Sequence, residues 1–347
     1  MLEKTNKVLY RKYRPSNFKE VLGQDHIIKA LSGAINLGNI SHAYLFAGSR
    51  GIGKTSIARI LAKEIGCTDN DLYEIDAASN RGIDDIRELR DSVNILPFES
   101  PYKVYIIDEV HMLTKEAFNA LLKTLEEPPR HIIFVLATTE IEKLPDTIVS
   151  RCQTFNFKKP SQKILKDFVS EIAKKEKFKL EPASADLIAV LGDGSFRDTH
   201  GILQKVISSS ADKKISIEEV EAITGAPKGE LVNGFISSVA ESDLDKGLIS
   251  INKAVENNVE MKIYAKLILH KLRAILLIRF ASDMKKVIES EFSEEDFNFI
   301  SELAKNKETK ISSITISEML NAYDQVGRAY IPQLPLETAL IRLIEIK

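Results

Sequence analysis

The sequence predicts an α/β domain built on a parallel sheet, followed by an all-helical remainder, and three observations lead there. Short apolar runs at 43–47, 103–107 and 132–137 alternate with helical patterns and end on glycine or polar residues, as strands buried on both faces do. Between the first run and a helical pattern at 56–65 stands Gly48-Ser49-Arg50-Gly51-Ile52-Gly53-Lys54-Thr55. Beyond Pro160 the apolar spacing becomes helical throughout, which places a domain boundary there.

The loop reads as a phosphate cradle. Glycines let backbone N–H groups point inward, Lys54 reaches the β- and γ-phosphates, and the Thr55 hydroxyl holds magnesium. Such a loop works where a strand feeds the positive N-terminal end of a helix. Tyr44, Leu45 and Phe46 supply the strand, and Ile57, Leu61 and Ile65 the helix face. Ser49, Ile52 and Ser56 belong to the same binding stretch.

A length of 347 residues suggests about two to three domains, and 44% hydrophobic content supplies sizeable cores. The net charge of −2 makes any nucleic-acid contact a local matter of clustered Lys and Arg. Only Cys67 and Cys152 are present, which fits a reducing cytoplasm, predicts no disulfide framework and excludes a four-cysteine zinc site within the chain. Residues 1–10 lack the apolar centre of a secretory signal. The apolar-looking stretch 263–280 carries Lys266, His270, Lys271, Arg273 and Arg279, so it reads as a core helix and no membrane partner is expected.

Taken in order, Tyr10-Arg11-Lys12-Tyr13-Arg14-Pro15 is a basic, aromatic lead-in. It fits a lip of the nucleotide site or a surface arm with solvated charges. Asp25 is expected to cap the helix that follows Gly23-Gln24. A second strand is expected at 72–76, then a turn at Asn80-Arg81-Gly82 and a charged helix at 83–93. The run from Lys103 ends on Asp108 and Glu109. In a parallel sheet ligands lie at the carboxyl ends of strands, so Asp108 is expected to hold magnesium and Glu109 to orient and polarise the attacking water. Two acids closing a strand also describe an ordinary turn. Thr114 caps a helix with Phe118, Leu121, Leu122 and Leu125 on its core face, stopped by Pro128-Pro129. The run 132–137 closes on Thr138 and Thr139, either of whose hydroxyls can sense the γ-phosphate, or simply end a strand. Ser150-Arg151-Cys152 follows a helix-like segment begun near Pro145, and Gly194-Ser195-Phe196-Arg197-Asp198 leads into a helix with Arg197 in its first turn. An arginine at a helix N-terminus opposes the dipole, which hints at an anionic target, although Asp198 also neutralises it. A break at Gly225-Ala226-Pro227 ends a small helical domain, and Pro332 and Pro335 separate the last two helices.

Together these motifs resemble the AAA+ clamp-loader ATPases. The likeness is carried by Arg11-Lys12-Tyr13-Arg14-Pro15, Gly23-Gln24, His42-Ala43-Tyr44-Leu45-Phe46, the loop at 48–55, Glu74-Ile75-Asp76-Ala77-Ala78-Ser79 and Ile107-Asp108-Glu109-Val110-His111-Met112-Leu113. It continues in the Phe118 to Pro129 helix, Ala137-Thr138-Thr139, Ser150-Arg151-Cys152 and Gly194-Ser195-Phe196-Arg197-Asp198, and more loosely in Leu336-Glu337-Thr338-Ala339-Leu340-Ile341-Arg342-Leu343. The resemblance implies an AAA+ P-loop domain with a parallel sheet at 1–160, a small helical lid at 161–226 and an all-α collar, the oligomerisation domain, at 227–347. It implies ATP and Mg2+ as cofactors, Arg151 as an arginine finger acting in trans, Arg197 as the second sensor and Thr139 as the first. Arg11, Pro15 and Gly23 match the stretch bordering adenine, while His42 and His111 read as structural. The partners implied are copies of the chain itself, delta and delta-prime type subunits, a sliding clamp, and primer-template DNA gripped through its phosphates. Arg81 and Lys115 begin helices that face the DNA chamber in this picture, and they read equally as solvated charge.

The sequence departs from the family pattern where most members carry a four-cysteine zinc module. Cys67 is followed only by Thr68-Asp69-Asn70-Asp71 before Leu72, so zinc is not expected. The chain also ends after the collar, which reads as a short form or a truncated piece. Two other functions share the motifs, a DNA-remodelling AAA+ machine such as a branch-migration helicase, and a nucleotide-gated scaffold without useful turnover.

Overall fold

The computed structural model describes residues 8–345 apart from Arg81, Ser290 and Lys307. The chain divides into two compact units, Met1–Ile164 with Gly194–Asp198, and Leu165–Asp193 with Thr199–Lys347.

Five strands form the sheet of the first unit: β1 (Ala43–Ala47), β2 (Leu72–Asp76), β3 (Lys103–Asp108), β4 (Ile132–Thr138) and β5 (Gln153–Asn156). They are all parallel, in the order β2-β3-β4-β1-β5. The central three are buried almost throughout, while edge strands β2 and β5 are more polar and half exposed. Helices α1 (Leu9–Lys12), α2 (Asp25–Asn36), α3 (Lys54–Glu64), α4 (Ile83–Ser92), α5 (Lys115–Glu126) and α6 (Asp146–Val149) accompany it.

Strand alternation sends side chains to two cores. Tyr44, Phe46, Val104, Ile106, Ile133 and Val135 meet Ile27 and Leu31 of α2 and Ile57 and Leu61 of α3. Leu45, Tyr105, Ile107, Phe134 and Leu136 meet Ile86 and Leu89 of α4 and Phe118, Leu121 and Leu125 of α5. Each such fully buried side chain contributes about 1.5–3 kcal/mol, so both helical layers are held firmly on the sheet. Thr114 caps α5 as expected, its side chain accepting from Ala117 N. Asp25 does not cap α2. It is the first helical residue, and the N-cap is Gln24, whose own side chain turns away to grip the main chain of Lys158.

Among its described residues the second unit is helical except for a two-strand parallel pair, β6 (Lys179–Leu180) and β7 (Lys214–Ile215), which the helical periodicity past Pro160 does not announce. Its helices are α7 (Gln162–Lys175), α8 (Pro182–Leu191), α9 (Phe196–Ser209), α10 (Ile217–Thr224), α11 (Gly229–Glu241), α12 (Leu244–Glu256), α13 (Met261–Phe280), α14 (Lys285–Glu289), α15 (Glu294–Lys305), α16 (Ser313–Val326) and α17 (Leu334–Glu345). Helices α7 and α9 contribute residues to both units. The core from α11 onward contains Phe235, Ile236, Tyr264, Ile268, Leu272, Ile275, Met319, Leu336 and Leu340. Arg279 closes the C-terminal end of α15, donating to the carbonyls of Leu303 at 2.9 Å and Ile311 at 2.7 Å. Pro335 does not separate the last helices. It lies in the first turn of α17, where its missing N–H is no loss. Among the described residues no helix is long and apolar enough to cross a membrane.

Candidate nucleotide-binding site

Sheet order puts the end of β1 beside the end of β4, with β3 next to β4. Gly48 N donates to Thr138 O at 3.1 Å, so the loop leaves the sheet already tied to β4. At the N-cap of α3, Gly53 has φ +103°, a conformation open to glycine and costly for other residues. Gly51 has φ +75°, and a Cβ there would fall 2.0 Å from Ser195 Oγ, so the turn at 194–198 rests directly on the loop. Phe196 N donates to Gly51 O at 2.9 Å, which fixes that approach.

Inside the loop, Lys54 is buried, and its Nζ donates to Gly48 O at 2.7 Å and Ser49 O at 2.9 Å. Burial pulls the Lys54 pKa below the usual lysine value, against the opposing pull of Glu109 and Asp108. Thr55 Oγ1 donates to Asp108 Oδ2 at 2.7 Å, joining the first turn of α3 to the end of β3. Glu109 adopts a left-handed φ of +49°, and its N donates to Asp108 Oδ1 at 3.0 Å. The two acids therefore have different partners, Asp108 facing Thr55 while Glu109 Oε2 accepts from Thr139 Oγ1 at 3.0 Å. Of the two threonines, Thr139 touches the acid and Thr138 is fully buried.

The basic lead-in reaches the loop through a residue outside the predicted site. Arg14 Nε donates to Ser56 Oγ at 3.1 Å, and burial lowers its pKa, with Arg59 acting in the same sense and Glu74 and Asp108 opposing. Its membership of the 11–15 stretch is the signal that could have found it. Tyr10 is also outside the predicted site, and its ring lies 5.8 Å from the Arg11 guanidinium and 5.4 Å from that of Arg197, two predicted site residues. Ile52 is buried in the core beneath the loop. Pro15 follows Arg14, and Gly23, at φ +74°, faces Ile164 rather than the loop.

Arg151 makes its contacts elsewhere. It donates to Thr147 O at 2.9 Å and to Glu126 Oε1 at 2.6 Å, and none of the loop residues is among these partners. Lys115 is an exposed residue opening α5, and Arg81 lies outside the described residues. Cys67 and Cys152 are free, and burial pushes their thiols up to about 11 and about 12, so both stay protonated and unreactive at neutral pH.

A family model described as "DNA polymerase III, delta subunit" matches residues 23–81 and 70–161. The DNA polymerase III subunit tau of Bacillus subtilis is 36% identical over 362 residues, covering 97% of this chain and 63% of that protein. The Escherichia coli subunit tau is 39% identical over 79% of this chain and 46% of its own length, so the chain spans about half to two thirds of these relatives. The DNA polymerase III subunit gamma of Buchnera aphidicola is 34% identical, with 97% of this chain and 98% of that protein covered. Among solved structures, the RuvB Holliday junction branch migration motor of Thermotoga maritima aligns with a TM-score of 0.52 and 21% identity, over 69% of this chain and 85% of that one. That likeness shows a shared fold. With a parallel sheet, a glycine-rich strand-loop-helix turn and near end-to-end similarity to a gamma subunit, the chain belongs to the DNA polymerase III subunit gamma/tau family.

Proposed function

We propose that the chain is an ATPase subunit of a bacterial clamp loader, using ATP binding and hydrolysis to place a sliding clamp on primer-template DNA. The observation that carries the reading is the convergence of Lys54, Thr55, Asp108, Glu109 and Thr139 on one end of the sheet, in a chain of the gamma/tau family. Thr55 Oγ1 and Asp108 Oδ2, 2.7 Å apart, are the hard oxygen donors magnesium takes, and the Lys54 loop is shaped for polyphosphate. Bound there, magnesium would neutralise charge on the β- and γ-phosphate oxygens. Lys54 binds those phosphates, Glu109 orients a water and accepts its proton at the carboxylate, and Thr139 holds Glu109 in place. Arg197, delivered by a turn that rests on Gly51, reaches the γ-phosphate.

Arg151 serves a neighbouring subunit's site, which its attachment to Glu126 instead of its own loop supports. The lid at 161–226 and the collar at 227–347 organise those subunits, which include copies of this chain and delta and delta-prime type partners. Grip on DNA is through phosphates, sequence-independent and salt-sensitive. The test is clamp loading with purified partner subunits, comparing wild type with Arg151→Ala. Loss of loading with retained ATP binding is expected, and intact loading overturns the inter-subunit mechanism. Hydrolysis accelerated by DNA alone, without the clamp, would instead favour a translocating machine.

A further inference from the structure

His111 lies three residues past the acid that ends β3, with a nearly buried side chain and both ring nitrogens engaged. Its Nδ1 is 3.0 Å from Thr138 Oγ1, and its Nε2 is 3.2 Å from Glu140 Oε1. Thr138 and Glu140 are the residues on either side of Thr139. The ring therefore brackets the threonine whose hydroxyl donates to Glu109 Oε2 at 3.0 Å. Nδ1 also stands 3.6 Å from that same Glu109 oxygen.

The hydrogen-bond inventory closes around this bracket. Lys143 lies 2.7 Å from Glu140 and holds it below the usual carboxylate range, so Glu140 is an acceptor and Nε2–H must donate to it. In the neutral ring Nδ1 then accepts from the Thr138 hydroxyl, whose oxygen in turn accepts the Glu140 N–H at 3.0 Å. Packing alone would be met by any flat ring of this size, but a phenyl group would leave the Thr138 hydroxyl without this acceptor and detach Glu140 from the ring.

The geometry points to His111 as a positioning residue that fixes the β4 end from both sides of Thr139, so that the Thr139 hydroxyl is set on Glu109. This rests on the reading of Glu109 as the water-orienting acid. His111 touches no reacting atom in this scheme and acts only through Thr138, Thr139 and Glu140.

The test is a double-mutant cycle on ATP turnover by the full chain assembled with its partner subunits, clamp and primed DNA, with nucleotide affinity measured in parallel. Displacing a catalytic group by about 1 Å costs on the order of 10²-fold, so His111→Phe is expected to lower kcat by roughly 10- to 100-fold while the Kd for ATP moves less than about 3-fold. Thr139→Val is expected to cost at least as much, and the double variant no more than Thr139→Val alone. Glu140→Ala, at a half-exposed surface position, removes only the Nε2 side and carries the same cycle if His111→Phe fails to fold. It is expected to lower kcat several-fold when Thr139 is intact and to do nothing when combined with Thr139→Val. Multiplicative losses, or parallel losses of kcat and affinity, overturn the role of His111. A wild-type complex that does not hydrolyse ATP overturns the underlying reading instead.

Discussion

Arg151 is held by Glu126, with its Nη2 2.6 Å from Oε1 and both side chains partly exposed at the C-terminal end of α5. An exposed pair of this kind contributes about 0–1 kcal/mol, so it is a resting place and not a structural necessity. Arg151→Ala should leave thermal stability and ATP binding by the isolated chain unchanged. In the assembled complex the same change should lower turnover by roughly 10³-fold, as removal of an arginine finger does. Calorimetry and single-turnover hydrolysis check the two halves separately.

The Thr55 to Asp108 hydrogen bond joins the loop helix to the strand that ends in acids. Asp108→Asn keeps a side chain of the same shape but removes the charge a divalent cation needs. Hydrolysis should fall by roughly 10²-fold or more, since a bound metal supplies several kcal/mol at the transition state. Removing magnesium with EDTA should weaken ATP binding by the wild type and have little further effect on the variant, which titration calorimetry would read.

A Cβ at Gly51 would collide with Ser195, and the residue's φ of +75° already disfavours a side chain. Gly51→Ala should push the 194–198 turn off the loop and break the bond from Phe196 N to Gly51 O. Faster hydrogen exchange at the Phe196 amide, together with loss of the nucleotide response that depends on Arg197, is the expected outcome. Unchanged exchange at Phe196 would mean that the turn does not need the loop.

Asp71 is buried, and its carboxylate accepts from the backbone N–H groups of Phe98, Glu99 and Ser100, the last two at 3.0 and 2.9 Å. Burial by itself would raise its pKa, but these donors outweigh it and hold the group down at about 2. A folded-state pKa below the unfolded value of about 3.9 gives stability that is present above that value and is lost as pH falls from about 4 to about 2. Asp71→Asn should destabilise the protein at pH 7 by about 1–3 kcal/mol and flatten the acid limb of a Tm-against-pH curve. A parallel downward shift at every pH would show that the charge is not what matters.

Much of the site is legible in the order of the residues alone, because its parts are local. The glycines, Lys54 and Thr55 are contiguous, and Asp108 with Glu109 closes an apolar run whose burial pattern names it a strand. Asp25 has the residue type of a cap without being one, because capping depends on how a neighbour is engaged, and here Gln24 is committed to Lys158, 134 residues away. Arg14 escapes the predicted site for the same kind of reason, since its partner Ser56 lies 42 residues on. Nothing in a helical period reveals the short β6 and β7 pair, whose partners are 35 residues apart in register.

Residue type and spacing thus determined by themselves the glycine-rich turn between strand and helix, the acids at the strand end and the change from α/β to helical character at Pro160, since each follows from rules that act within a few residues. The order β2-β3-β4-β1-β5 was decided only by packing. That order inserts β1 between β4 and β5 and so ties the loop after β1 to the end of β4 through Gly48 N and Thr138 O, because sheet neighbours that are not chain neighbours are chosen by which faces bury together.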